Sequence, residues 1–133
     1  MAANLLFLYG RSGAGKTRLL QLIEGNMQGM QPTLRVGSER FVDELVQSLR
    51  LRSCSELFNK YATIENLLLD NLWIFRSHPC AAIDMGRLIQ ARMAGGKLTI
   101  IASDLPQQDV IRAFPGIGNC LKTADAVHVN VKY

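Results

Sequence analysis

Short continuous apolar runs alternate with amphipathic stretches along this chain, and the alternation predicts strands and helices in turn. Leu5-Leu6-Phe7-Leu8-Tyr9 is an unbroken apolar run of the length that a buried parallel strand needs. Residues 18–24 are good helix formers, and the helix they predict starts near Lys16. Gly25-Asn26-Met27-Gln28-Gly29 then reads as a helix stop and loop. Residues 32–36 form a second strand candidate, ended by Gly37. Ser38 is placed to cap a helix whose apolar face is Phe41, Val42, Leu45, Val46 and Leu49, at three-to-four spacing. Ser53 with Glu56 has the spacing of a capping box, predicting a short helix through Lys60.

Ile64 to Leu69 is the next apolar strand, and it ends in Asp70. Pro79 can open a helix whose buried face includes Ile83, Leu88 and Ile89, and Gly95-Gly96 stops it. Leu98 to Ala102 is a further buried strand ending in Ser103-Asp104. A short helix around 107–113, a break at Pro115-Gly116 and an alternating strand over 127–131 complete the pattern. Five strands alternating with helices imply an α/β fold with a parallel sheet covered on both faces.

Candidate chemistry gathers at the carboxyl ends of those strands, where such sheets hold their ligands. Gly10-Arg11-Ser12-Gly13-Ala14-Gly15-Lys16-Thr17 fits the G-x-x-x-x-G-K-[ST] phosphate-binding loop at every fixed position, between a strand and a helix as the motif requires. Its glycines let successive N–H groups curl toward one anion, and the helix that follows adds the positive end of its dipole. In this reading Gly10 to Thr17, with Arg18, bind the phosphates. Lys16 reaches the β- and γ-phosphates and the Thr17 hydroxyl faces Mg²⁺. The bland alternative, a glycine turn that matches by accident, must explain four fixed identities and both flanks. Asp70, at the end of an apolar strand about fifty residues on, suits the second half of such a site and would hold Mg²⁺ through its waters. Ser103-Asp104 can sense a γ-phosphate from a neighbouring strand, or simply form a turn.

Composition narrows the classes. The 133 residues are 48% apolar and 20% charged, which suits an ordinary globular core. No apolar run approaches the roughly 20 residues of a membrane span, and the N-terminus has no basic leader, so the expectation is a cytoplasmic protein with no membrane role. Cys54, Cys80 and Cys120 are odd in number and widely spaced, which argues against a disulfide framework or a zinc site. A net charge of +4, spread along the chain, permits a nucleic-acid partner without demanding one; a solvated surface explains it as well. His78 and His128 lack metal-ligand spacing and read as structural or surface groups.

Residues 4–10 with Gly15-Lys16-Thr17-Arg18-Leu19-Leu20-Gln21 resemble the AAA+ domain of the bacterial replication initiator DnaA. So do Ser38 to Val46, Leu67-Leu68-Leu69-Asp70-Asn71, Gly96-Lys97 with Ile100 to Asp104, and Leu121-Lys122-Thr123. The likeness runs in order over nearly the whole chain, and the Ser-Glu-Arg-Phe-Val block is more particular to this family than the phosphate loop. The resemblance implies a three-layer αβα P-loop NTPase fold with a five-stranded parallel sheet of order 5-1-4-3-2. It implies one AAA+ core over residues 1–133 without lid, and ATP or ADP with Mg²⁺ as cofactors. It assigns Gly10–Thr17 to Walker A, Asp70 to Walker B and Asp104 to sensor 1.

The departures are as informative. The family follows its Walker B aspartate with a second acidic residue; here that position is Asn71, which cannot act as a base. The DnaA-related regulator Hda also has Asp-Asn there. Leu121-Lys122-Thr123 is followed by Ala124-Asp125 where DnaA carries an arginine finger, a group worth about 10³–10⁵ in rate where it acts. The lid, the second sensor arginine, the adenine-contacting segment and the duplex-binding domain find no match in this sequence, so the expected affinity is weak. The resemblance also implies single-stranded DNA contact through Val42, with Arg76 and His78 in the stretch that replaces the family's later basic positions. Trp73 and Phe75 can stack on bases, or be core.

The sequence thus predicts a nucleotide-binding, DnaA-related regulator of replication initiation that docks on DnaA or another replication protein, with Asn71 and Asp104 as sensor candidates and no catalytic residue assigned. The alternatives are a slow, partner-dependent ATPase and an interaction module with a vestigial site. A small phosphotransferase is a poorer option, because no acceptor site or phosphate-clamping lid is evident.

Overall fold

The structure, a computed structural model, describes residues 4–11, 13–27, 29–122 and 124–129. The chain runs β1 (Leu5–Tyr9), α1 (Lys16–Met27), β2 (Thr33–Gly37), α2 (Ser38–Arg50), α3 (Cys54–Thr63) and β3 (Asn66–Asp70). A 3-10 turn at Trp73–Arg76 leads to α4 (Pro79–Ala94), β4 (Leu98–Ser103), α5 (Gln107–Ala113), α6 (Pro115–Leu121) and β5 (Asp125–His128). The strands form one parallel sheet in the order β2-β3-β4-β1-β5, which is the expected order read from the other edge.

Alternation along the strands separates two cores. Leu5, Phe7, Leu67, Leu69 and Ile101 point into the larger one, where they meet Phe41, Tyr61, Met85, Leu88 and Ile117 from the helices. Leu8, Leu68, Ile100 and Ala102 point to the opposite face, and the helical residues packed there all come from α1, led by Leu20. A strand such as 67–69 is apolar at every position because both of its faces are covered. Phe41, Phe75 and Phe114 meet edge to face in the larger core. Gly86 permits the close crossing of α4 and α6: a Cβ there would lie 2.6 Å from the backbone of Gly116.

Several local expectations are corrected. The first helix continues through Gly25 to Met27, because an exposed helical glycine costs only about 1 kcal/mol. The chain then turns by N–H donation from Met30 and Gln31 to the Met27 carbonyl. Gly37, not Ser38, is the cap position of α2, and the Ser38 hydroxyl is engaged elsewhere. Ser53 makes no side-chain cap bond, so the capping box does not form, and α3 extends to Thr63. Val46 and Leu49 are exposed, because the apolar stripe of α2 is wider than the face that docks. Ile83 is exposed as well: α4 buries Ala82, Met85, Gly86, Ile89 and Arg92, a stripe that leaves Ile83 outside. The stretch at Pro115-Gly116 is the first turn of α6, with Pro115 where its missing N–H is harmless. The last strand begins at Asp125; residues 130 and 131 of the predicted strand lie outside the described residues.

Candidate nucleotide site

The loop after β1 curls where its sequence allows it. Gly13 and Gly15 have φ of 85° and 98°, a left-handed region costly for residues with a Cβ. The Ala14 N–H donates to the Arg11 carbonyl at 3.0 Å, closing the turn, and the Gly10 N–H donates to the Ser103 carbonyl at 3.2 Å, tying the loop to the end of β4. Gly10 also passes close to the far edge of the sheet: a Cβ there would sit 2.3 Å from the Val129 carbonyl oxygen. Ser12 lies outside the described residues.

Lys16 opens α1 and is 7% exposed. Its ammonium donates to the carbonyls of Gly10 and, at 2.8 Å, of Arg11. The Asp104 carboxylate lies 3.0 Å away on the other side, itself half-exposed. Thr17, one residue on, donates its hydroxyl to Asp70 Oδ1 at 3.2 Å. The loop and the Asp70 carboxylate are therefore adjacent, although 53 residues separate Thr17 from Asp70. The parallel register explains why: Asp70 pairs with Gly37 on one side and Ala102 on the other, so it ends its strand level with the neighbouring carboxyl ends. Ser103 forms the turn expected of it, its Oγ accepting from the Leu105 N–H, and Asp104 lies beside Lys16.

These groups line an open cleft of about 660 Å³, shared by Gly13, Gly15, Lys16, Thr17, Asp70 and Asp104. Arg18, Gln21, Asn71 and Trp73 complete its wall. α1 has no acidic residue in its first turn, so nothing on the helix opposes an anion at its N-terminus. The donor set suits a polyphosphate with a divalent cation: a curled glycine backbone, a buried ammonium, and a hydroxyl beside a carboxylate.

Two neighbours of the cleft, Arg35 and Glu24, are not signalled by any motif. Arg35, on β2, donates to Glu24 at 3.1 Å and approaches Asp70 Oδ2 at 4.0 Å. It sits two residues before Gly37, the register partner of Asp70, and strand alternation puts both on the α1 face. Ser38, fully buried, donates its hydroxyl to Asn71 Oδ1 at 2.5 Å.

The other predicted positions divide. Val42 is buried in the larger core, so its side chain has no face for a nucleic-acid strand. Arg76 and His78 are exposed, and His78 Nδ1 lies 3.1 Å from Ser77 Oγ. Phe75 is core, whereas Trp73 is 53% exposed. His128 is exposed and stacks on Tyr9. All three cysteines are free, and no described helix is long and apolar enough to cross a membrane.

Comparison with known proteins agrees with this fold. The model of the bacterial DnaA ATPase domain matches residues 1–114. The chromosomal replication initiator protein DnaA of Thermomicrobium roseum is 31% identical over 123 residues, covering 90% of this chain and 26% of that protein. The chain thus spans about a quarter of that relative's length. Among solved structures, a replication initiator DnaA bound to AMPPCP and single-stranded DNA superposes with a TM-score of 0.89 at 22% identity, over 98% of this chain and 41% of the other. Domain III of DnaA from Thermotoga maritima gives 0.88 at 23%, over 96% and 55%. The two structures share the fold, and the family match covers most of the sequence: this chain belongs to the bacterial DnaA ATPase-domain family.

Proposed function

We propose that this protein binds ATP or ADP with Mg²⁺ and regulates replication initiation by docking on DnaA or another replication protein, hydrolysing its nucleotide slowly or not at all. The observation that carries the reading is Lys16, a buried ammonium at the mouth of a curled glycine loop, beside Thr17 and Asp70. Phosphate oxygens would take the place that the loop carbonyls and Asp104 now occupy around that ammonium. Thr17 and Asp70 would hold Mg²⁺, which when bound offsets the charge of the terminal phosphates. AMPPCP in the DnaA neighbour supports the same use of the site here.

Slow hydrolysis follows from Asn71. A carboxamide at this position cannot take a proton from water, so the group that would activate the nucleophile is missing. Binding would then change which surface is ordered rather than drive a reaction cycle. Single-stranded DNA, present in that neighbour, would here rely on exposed Trp73, Arg76 and His78, because Val42 is buried.

The test is a pull-down with DnaA, together with an initiation assay under overexpression. The proposal expects nucleotide-dependent capture and altered initiation; neither effect would remove the docking role. Hydrolysis that disappears in Lys16→Ala would instead favour the slow ATPase.

A further inference from the structure

Asn71 is held from three directions. Its φ of 75° is left-handed, a conformation that asparagine tolerates better than other residues with a Cβ. Its backbone N–H donates to the Ala102 carbonyl of β4 at 3.0 Å. Its side-chain Oδ1 accepts the Ser38 hydroxyl at 2.5 Å, from the first residue of α2. Ser38 is fully buried, so the donor end of this bond is held away from water. Asn71 lines the same cleft as Lys16, Thr17 and Asp104.

That arrangement fixes the chemistry of the carboxamide. An asparagine offers one acceptor oxygen and two N–H donors. Ser38 takes one of the oxygen's two lone pairs and sets the orientation of the amide, which leaves its N–H donors available to the cleft. A carboxylate here would repel a terminal phosphoryl group; a pinned amide attracts it.

We propose that Asn71 is a γ-phosphate-reading residue and Ser38 its positioning residue. The pair makes the site prefer nucleoside triphosphate over diphosphate at a place where a hydrolytic relative would use an acid. This rests on the nucleotide-binding reading above. No bond is made or broken: an Asn71 N–H replaces a water at the terminal phosphoryl oxygen.

The test compares the affinities of AMPPCP and ADP, both with Mg²⁺, by calorimetry on the full chain. AMPPCP removes hydrolysis from the comparison. Asn71→Gly deletes the carboxamide while accommodating the positive φ. It should lower the AMPPCP-to-ADP affinity ratio about tenfold, as expected for one hydrogen bond to a charged group, with ADP changed less than about twofold. Asn71→Asp keeps the shape, removes the donors and adds a charge, so its ratio should fall further. Ser38→Ala should lower the ratio about threefold, again sparing ADP, which loss of a merely structural contact would not do. An unchanged ratio in Asn71→Gly and Asn71→Asp overturns the inference alone. So does a parallel loss of both nucleotides. A wild-type chain that binds neither nucleotide overturns the parent reading, and this one with it.

Discussion

Two cations are buried at opposite ends of the same sheet, and they are held in different ways. At the amino ends of β3 and β4, Arg92 is fully buried and donates to five oxygens: the carbonyls of Tyr61, Ile64, Glu65 and Leu98, and the Thr99 hydroxyl. At the carboxyl ends, Lys16 is almost as deep, but its partners are two loop carbonyls and the half-exposed carboxylate of Asp104. The Arg92 acceptors belong to the end of α3 and the starts of two strands, and a planar fork fills all of them at once. The Lys16 partners are a half-exposed carboxylate and a loop whose own amides can serve an anion. Burial alone therefore does not mark a functional charge. Partners that an incoming anion can replace do.

The sharpest way to break the contrast is at Arg92. Arg92→Met removes five hydrogen bonds, of whose acceptors the Glu65 carbonyl keeps the Leu98 N–H, and should cost about 3–5 kcal/mol in urea melts, a large share of a small domain's stability. Arg92→Lys should recover little of it, because three donors on a point charge cannot reproduce the fork. A cost below about 1 kcal/mol would mean that the cation is no more structural than Lys16.

Tyr61 sharpens the same end. Its carbonyl serves Arg92, and its hydroxyl donates to Glu44 at 2.6 Å. Tyr61→Phe should cost about 1–2 kcal/mol at neutral pH. Burial, then the bond to Glu44 and its charge, raise the Tyr61 phenol above its ordinary value. The folded state thus keeps a proton that the unfolded chain loses near pH 10, so this stabilisation is complete below that pH and lost as pH rises further. Burial lowers Arg92 to about 10, against the charge of Glu65, which raises it. The quantity to read is the difference between wild type and Tyr61→Phe, from which Arg92 cancels; it should shrink above pH 10.

The smallest stability effect belongs to the functional end. Asp104→Asn should change the melting free energy by only about 0–1 kcal/mol, because a half-exposed ion pair is screened by water. A larger loss would make Asp104 a structural partner of Lys16.

How much of this was legible follows from how local each signal is. The phosphate loop is readable because one segment supplies strand, glycines, lysine and helix. The sheet order rests on resemblance, whereas Asp70 and Asp104 are readable as carboxylates at strand ends, and the parallel register places Asp70 at the end of its strand beside Thr17. The Ser38–Asn71 bond was hidden, since it depends on the register that sets Gly37 opposite Asp70. Ser38 looked like a helix cap because local spacing cannot show that a partner 33 residues away takes its hydroxyl. Nothing in the sequence separates Arg92 from the other charges spread along the chain. Its burial follows from the packing of α3 and α4 over the strand starts, which periodicity does not encode. Val46, Leu49 and Ile83 fall on predicted apolar faces yet lie outside the core, because apolar spacing gives the width of a stripe, not the part that docks.

The central claim is that Lys16 is an exchangeable cation in a phosphate cradle. The direct measurement is the melting free energy of wild type and Lys16→Ala, with and without Mg-ATP. At a hundred times Kd, wild type should gain about 2.7 kcal/mol, and Lys16→Ala should gain nothing while remaining folded without nucleotide. Equal gains in the two proteins, or no gain in wild type at millimolar Mg-ATP, would contradict the account.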